Sequence, residues 1–187
     1  MVSLTHLWLP ILLAAVLVFV VSSVVHMVLK YHNSDYRPLP NEEAVRAAIP
    51  GADVAPGMYV MPHCPDMKDM GSDAMKAKFE AGPVGMILIR ARGPMAMGKF
   101  LGQWFLLNVL VAFATAYLAS RTLAPNTPYL QVHRVTGTIT FLAYAVGSCV
   151  NAIWMGYPWR AALKDAFDAL LFGFVTGGAF GWLWPHA

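Results

Sequence analysis

Four long apolar runs, separated by polar stretches, dominate the pattern of this chain. They cover residues 7–29, 100–119, 135–155 and 161–184. A helix rises about 1.5 Å per residue, so about 20 apolar residues match the hydrocarbon core of a bilayer, which is roughly 30 Å thick. The pattern predicts an all-α membrane protein: a four-helix transmembrane bundle that forms a single membrane domain over residues 1–187.

The polar stretch between the first two runs, residues 30–99, is predicted to be a small α+β surface insertion. Asn41 and Ser72 are residues that cap helix N-termini, and each precedes an acidic first turn. The helix after Asn41 is expected to end at Pro50-Gly51. Such a segment buries too little apolar surface to be stable alone, so it is expected to lie on the membrane surface or on the bundle. Two short strands complete the insertion, at 58–61 and 84–90.

Glycines at helical spacing mark the last run as a packing surface. Gly173, Gly177 and Gly181 are four residues apart, which places them in one line along a helix. A line without side chains lets a second helix backbone approach closely inside a bilayer. Gly147 in the third run, with Ala143 four residues before it, is the predicted counterpart.

The composition supports a membrane location. The chain is 58% hydrophobic and 12% charged, whereas a soluble domain is nearer half apolar and a quarter charged. The formal charge of +3 is too small to indicate nucleic-acid binding. Nine of the thirteen lysines and arginines lie in residues 30–99. Because basic loops are retained in the cytoplasm, the insertion is predicted to be cytoplasmic and both termini to lie on the opposite side of the membrane.

Four polar side chains fall within the apolar runs and are candidates for function. His26 and Asp168, with Asp165 beside the latter, lie at the inner ends of the first and fourth runs, so a contact between His26 and Asp168 is expected. The structural alternative is that the acids complement the positive end of their helix. Asn108 and Asn151 lie in mid-membrane, where each is expected to form a hydrogen bond to another helix. Lining a pore is the functional alternative for these two amides.

A sulfur-rich part of the insertion is the second candidate for chemistry. Thioether, thiolate and imidazole groups suit Cu(I), which makes this stretch a weak candidate metal site. The alternative is that the methionines fill a shallow apolar layer against the membrane. The candidate ligands are Met61, His63, Cys64, Met67 and Met70.

Motifs for catalysis are missing from the sequence. It contains no HExxH, GxSxG, P-loop or GxGxxG pattern, and no catalytic residue is assigned. No cofactor can be named from the sequence. The expected partners are the lipid bilayer and either a membrane protein or further copies of the chain, without nucleic acid.

Several short runs resemble those of a family of small bacterial membrane proteins with four predicted helices and no known function. They are His32-Asn33-Ser34-Asp35-Tyr36, Leu39-Pro40-Asn41-Glu42, Gly82-Pro83-Val84-Gly85 and the ending Phe180-Gly181-Trp182-Leu183-Trp184-Pro185. The resemblance extends over nearly the whole chain. It implies a bacterial inner-membrane protein and no particular activity, cofactor or binding residue.

The sequence therefore favours a non-catalytic integral membrane protein that serves as a structural or accessory subunit of a membrane complex. Two alternatives stay open. One is a small-solute or ion pathway formed by the bundle or an oligomer. The other is copper handling through the sulfur-rich insertion.

Overall fold

The chain folds mainly into helices, with one small antiparallel sheet. The structure is a computed structural model, and it describes residues 2–49 and 54–186. Its helices are α1 (Trp8–Ser23), α2 (Glu42–Ala48), α3 (Asp73–Ala81), α4 (Met97–Thr122), α5 (Tyr129–Trp154) and α6 (Trp159–Trp182); its strands are β1 (Gly57–Met61) and β2 (Gly85–Ile89).

The structure divides into two compact units. The helical unit comprises Met1–Tyr36 and Ala96–Ala187, and the insertion unit comprises Arg37–Met95. The insertion is thus shorter than the predicted 30–99. Residues 30–36 belong to the helical unit because they fold back onto α6, and the residues from Ala96 onward belong to it because they open α4.

The insertion unit follows the predicted elements with one correction. Strands β1 and β2 pair in antiparallel register, with Gly57 opposite Ile89. Ser72 caps α3, since its Oγ accepts a hydrogen bond from the backbone N–H of Met75 at 3.3 Å. The helix start predicted at Asn41, with Glu42 and Glu43 in the first turn, is confirmed, but the backbone of Asn41 is left-handed, with φ 56°, and its side chain makes no capping bond to α2. The predicted helix end at Pro50-Gly51 lies outside the described residues.

Among the residues that the structure describes, three helical segments are long and apolar enough to cross a membrane: Leu4–Leu29, Met97–Thr122 and Tyr129–Trp154. Helix α6 is not among them, because Lys164, Asp165 and Asp168 lower the hydropathy of its first half. The helices pack as neighbours, α1 against α4 and α6, and α5 against α4 and α6.

Helix α5 begins six residues earlier than the predicted run at 135–155. Pro128 immediately precedes its first residue, Tyr129. Proline suits a helix start because its φ is already helical and its missing N–H needs no partner there. The first turns carry Gln131, His133 and Arg134, and the apolar run therefore begins only after these polar residues.

The glycine line of α6 lies against α5. A Cβ added at Gly173 would come within 2.6 Å of the Gly137 carbonyl oxygen, and one at Gly177 within 2.8 Å of the His133 carbonyl oxygen. At Gly181 the nearest atom would be a ring carbon of Tyr129 at 2.7 Å. Only glycine permits so close an approach at these positions.

The counterpart predicted on the other helix was misplaced. A Cβ at Gly147 would meet open space among the described residues, so Gly147 takes no part in this interface. Gly137, two to three turns earlier in α5, occupies that role: its own Cβ would lie 2.9 Å from the Gly173 carbonyl oxygen. The spacing of small residues along α5 indicated the wrong pair of turns.

Candidate functional site

The candidate site forms where the first long helix ends and the chain turns back. Beyond α1 the helix widens into a π-helical segment, Val24–Leu29, which carries His26. Such wide turns occur often at functional sites. Lys30 then adopts a left-handed conformation, with φ 53°, and ends the helix. A single tight turn, Tyr31–Asp35, follows and contacts α6.

This reversal brings two histidines together. The rings of His26 and His32 are stacked, with centroids 4.8 Å apart and planes inclined by 3°. His26 is exposed and His32 is buried. Nδ1 of His26 lies 2.9 Å from the carbonyl oxygen of Ser22. Since a carbonyl can only accept, Nδ1 carries the proton and neutral His26 presents a lone pair on Nε2.

His32 lies between two carboxylates. Its Nδ1 is 3.0 Å from Oδ2 of Asp35, and its Nε2 is 3.0 Å from Oδ2 of Asp168. An ionised carboxylate only accepts hydrogen bonds. Both contacts are therefore favourable only if His32 carries two protons, a carboxyl is protonated, or a cation bridges one pair.

Lys164 of α6 forms an ion pair with one of these acids, Asp35. Its Nζ donates to the Tyr31 carbonyl oxygen at 2.8 Å, to Ser34 Oγ at 2.8 Å and to Asp35 Oδ1 at 2.5 Å. All three ammonium protons are thus used. The hydrogen bond from Lys164 holds the pKa of Asp35 below its ordinary value, and the hydrogen bond and charge of His32 act in the same direction.

The two acids of α6 each have a hydroxyl donor. Tyr31 donates its hydroxyl to Oδ1 of Asp168. Ser148 of α5 donates to Oδ2 of Asp165 at 2.7 Å, and the other oxygen of Asp165 lies 4.0 Å from Nδ1 of His32. The site therefore joins α1, the 31–35 turn, α5 and α6.

The structure brings together His26 and Asp168, the pair singled out from the sequence. One ligand atom from each of His26, His32 and Asp168 can be chosen so that all three lie within 4.8 Å of one another. Within residues 2–49 and 54–186 this is the one group of three or more histidine, cysteine, aspartate or glutamate side chains that could hold a metal ion.

The two amides predicted in mid-membrane have different surroundings. Asn108 is buried between α4 and α5, and its Oδ1 accepts a hydrogen bond from the Tyr144 hydroxyl at 2.8 Å. Its Nδ2 has no hydrogen-bond partner among the described residues. Asn151 is exposed, so the two amides do not form one buried polar lining.

The sulfur-rich candidate ligands lie in the insertion unit. Met61, Met67 and Met70 are exposed, as is His63. Cys64 is a free cysteine whose Sγ donates to the Asp66 carbonyl oxygen at 3.0 Å. The structure shows no feature that draws these five side chains into a common site within the described residues.

Four residues of the site were missed from the sequence: Tyr31, His32, Asp35 and Lys164. Three of them fell inside the predicted surface insertion. One signal pointed to them: a helix with Lys164, Asp165 and Asp168 in its first half needs polar partners to be buried at all. His32 and Asp35, directly after the first apolar run, were the nearest candidates.

No family model, no curated protein and no solved structure matches this chain.

Tyr157, in the turn between α5 and α6, gives a test of the electrostatics around the site. Burial and the negative charge of Asp165 raise its pKa to about 12. The raised value means that stability from neutral Tyr157 is present below about pH 10, the unfolded pKa, and is lost as the pH rises toward 12. The difference in tyrosinate absorbance between the wild type and Tyr157→Phe reports this side chain alone. We expect that difference to titrate near pH 12 in the folded protein. In denaturant the same difference should move to about 10, and a folded midpoint near 10 would contradict the geometry.

Proposed function

We propose that this chain is an integral inner-membrane protein in which α6 is a fourth membrane-spanning helix. The supporting observation is the exposed face of α6. Leu163, Phe167, Leu170 and Phe174 are exposed at spacings of four, three and four residues, which places them in one apolar stripe. Asp168, 4% exposed, and the glycine line lie on the buried side. A helix with its charge turned inward and an apolar stripe outward is suited to lipid.

Tryptophans at the helix ends support the same proposal. Trp8 begins α1 and Trp182 ends α6, while Trp154 ends α5 and Trp159 begins α6; all four are exposed. Tryptophan is enriched at both membrane–water interfaces. With α6 spanning, these residues form a belt at each end of the helical unit.

We further propose that the protein acts as a non-catalytic subunit or scaffold of a membrane complex. Its long helices expose apolar side chains along their whole length, including Leu106, Leu110 and Phe113 of α4 and Leu142, Val146 and Val150 of α5. Such faces accept lipid chains or a partner's helices equally well, since packing rather than burial from water drives helix association in a bilayer.

The subunit role predicts a companion. Gentle solubilisation of the native membrane, followed by purification of the tagged chain, should recover a second membrane protein, or further copies of the chain, in fixed proportion. Native mass spectrometry measures that proportion. A monodisperse single chain that retains its lipid and elutes without a partner would contradict the role.

The fourth span can be tested by labelling from each side of the membrane. Ser3 and His186 are exposed and close to the two ends of the described chain. In a background with Cys64→Ser and Cys149→Ser, cysteines placed at positions 3 and 186 should both react with an impermeant maleimide added from the periplasm. Cys64, kept alone, should react only after the membrane is opened. Opposite sides for positions 3 and 186 would show that α6 does not cross.

A further inference from the structure

The site joining α1, the 31–35 turn and α6 is short of positive charge. Asp35, Asp165 and Asp168 converge on it, whereas the permanently charged Lys164 forms an ion pair with Asp35. Removing carboxylates from water is costly unless opposite charge is near. Lys164 donates all three of its ammonium protons to the 31–35 turn. The negative charge of Asp168 is therefore left to be balanced by a proton on a histidine or by a bound cation.

The histidines are held as metal-binding histidines are held. A histidine ligand usually donates its far N–H to a carbonyl or carboxylate, which fixes the ring and leaves the other nitrogen free to coordinate. Here Nδ1 of His26 donates to the Ser22 carbonyl, and Nδ1 of His32 faces Asp35. Nε2 of His26 is therefore left without that partner, and Nε2 of His32 faces Oδ2 of Asp168 at 3.0 Å.

Asp168 faces the same space. Its Oδ2 lies 3.0 Å from Nε2 of His32, which is close to the edge of a metal coordination shell, since ligands about 2.1 Å from an ion are about 3.0 to 3.4 Å apart. Its other oxygen is held by the Tyr31 hydroxyl. The carboxylate is thus oriented by one partner while the oxygen facing His32 stays available.

We propose that Nε2 of His26, Nε2 of His32 and Oδ2 of Asp168 bind a divalent first-row transition-metal ion, such as Zn²⁺. Two imidazoles and one carboxylate suit the borderline ions of this series. Three protein ligands leave a fourth position for water or for an exogenous ligand. The site belongs to the helical unit and does not depend on whether the protein has a partner.

Binding requires one defined movement. One ligand atom of each residue lies within 4.8 Å of the other two, which is somewhat wider than a tetrahedral shell of about 3.4 Å edges. The rings of His26 and His32 are parallel and must tilt, because an ion has to lie in the plane of each ring it binds. His26 is exposed, so its ring can tilt about the Nδ1 hydrogen bond to the Ser22 carbonyl oxygen. A proton shared between His32 and Asp168 leaves to solvent as the metal enters.

The proposal assigns supporting roles to the neighbours. Asp35 orients His32 through Nδ1, and Lys164 holds Asp35 in place. The exposed His63 and the half-buried Cys64 of the insertion unit are not part of the proposed site. They provide a control because an imidazole and a thiol can bind the same ions.

The test uses the full-length protein without a histidine tag, purified in detergent and stripped with EDTA. Titration with Zn²⁺ should show one ion per chain, and Co²⁺ should give the visible absorption of a low-coordinate nitrogen and oxygen site. His26→Ala should weaken binding by about 100-fold or more, because it removes a ligand rather than a supporting partner. The variant His63→Ala/Cys64→Ala should bind as the wild type does.

His26 is exposed, so His26→Ala is expected to fold, and circular dichroism and thermal unfolding check this. Asp168→Asn keeps the side-chain volume and should also lose the metal. Unchanged affinity in folded His26→Ala would overturn the proposal. So would loss of binding in His63→Ala/Cys64→Ala alone, or no bound Zn²⁺ in the stripped wild-type protein at millimolar ion.

Discussion

Replacing Gly177 with leucine is expected to separate α5 from α6 and to abolish the folded helical unit. A Cβ at this position would already lie 2.8 Å from the His133 carbonyl oxygen and 2.9 Å from its ring. The nearest atom is backbone, so it cannot turn away. Overpacking by even a single methyl typically costs about 1–3 kcal/mol, and leucine adds three more carbons in the same direction. The cost of leucine is therefore expected to be a large part of the total stability, which is roughly 5–15 kcal/mol for many proteins.

The measurement is the thermal unfolding of the variant in mild detergent, monitored by circular dichroism. Gly177→Ala should lower the melting temperature by a smaller amount. Gly178→Ala is the matched control, since its Cβ would meet only the Tyr129 hydroxyl at 3.8 Å, and Gly147→Leu should be tolerated because it faces open space. Equal melting of Gly177→Leu and Gly147→Leu would show that the two helices do not meet along the glycine line.

Replacing His32 with alanine is expected to destabilise the helical unit by about 3 kcal/mol, because it leaves the buried Asp168 carboxylate without its nitrogen partner. His32 contacts Asp168 at 3.0 Å and stacks on His26. The loss should appear in EDTA, so that it measures the protein's own contacts rather than metal binding.

Two variants make this result specific. His63→Ala removes an exposed histidine and should change the free energy of unfolding by less than about 0.5 kcal/mol. Adding Asp168→Asn to His32→Ala should restore part of the loss, since the amide keeps an oxygen for Tyr31 and carries no charge. A double variant as unstable as the sum of the two single changes, or an unaffected His32→Ala, would contradict the role given to this contact.

The helices of this fold could be predicted from the sequence because apolar runs and glycine spacing are local signals. The first run and α1 with its π-helical extension agree closely, and the α6 glycines lie at a helix interface as their spacing indicated. Boundaries failed where a helix continued through polar residues, as α5 does from Tyr129 to Arg134. The predicted partner of the glycine line was wrong, since Gly147 has a small residue four positions before it whereas Gly137 lies between His133 and Phe141 at that spacing, and only packing selects Gly137.

The site was predictable only in part. His26 and Asp168 carried a visible signal, because ionisable residues in apolar runs need partners. His32 did not, because its contact with Asp168 joins residues 136 positions apart. Its position depends on a left-handed Lys30 that reverses the chain, and lysine has no special preference for that conformation. The sequence therefore placed His32 in a surface loop, whereas the structure buries it.

The central claim is that the helical unit lies within a bilayer, and alkaline carbonate extraction of native membranes tests it most directly. Integral chains stay with the lipid at high pH, whereas chains held by charge are released. The exposed apolar stripes of α4, α5 and α6 require that the protein remain entirely in the pellet until detergent is added. Recovery of folded, monomeric chain in the carbonate supernatant would contradict the account.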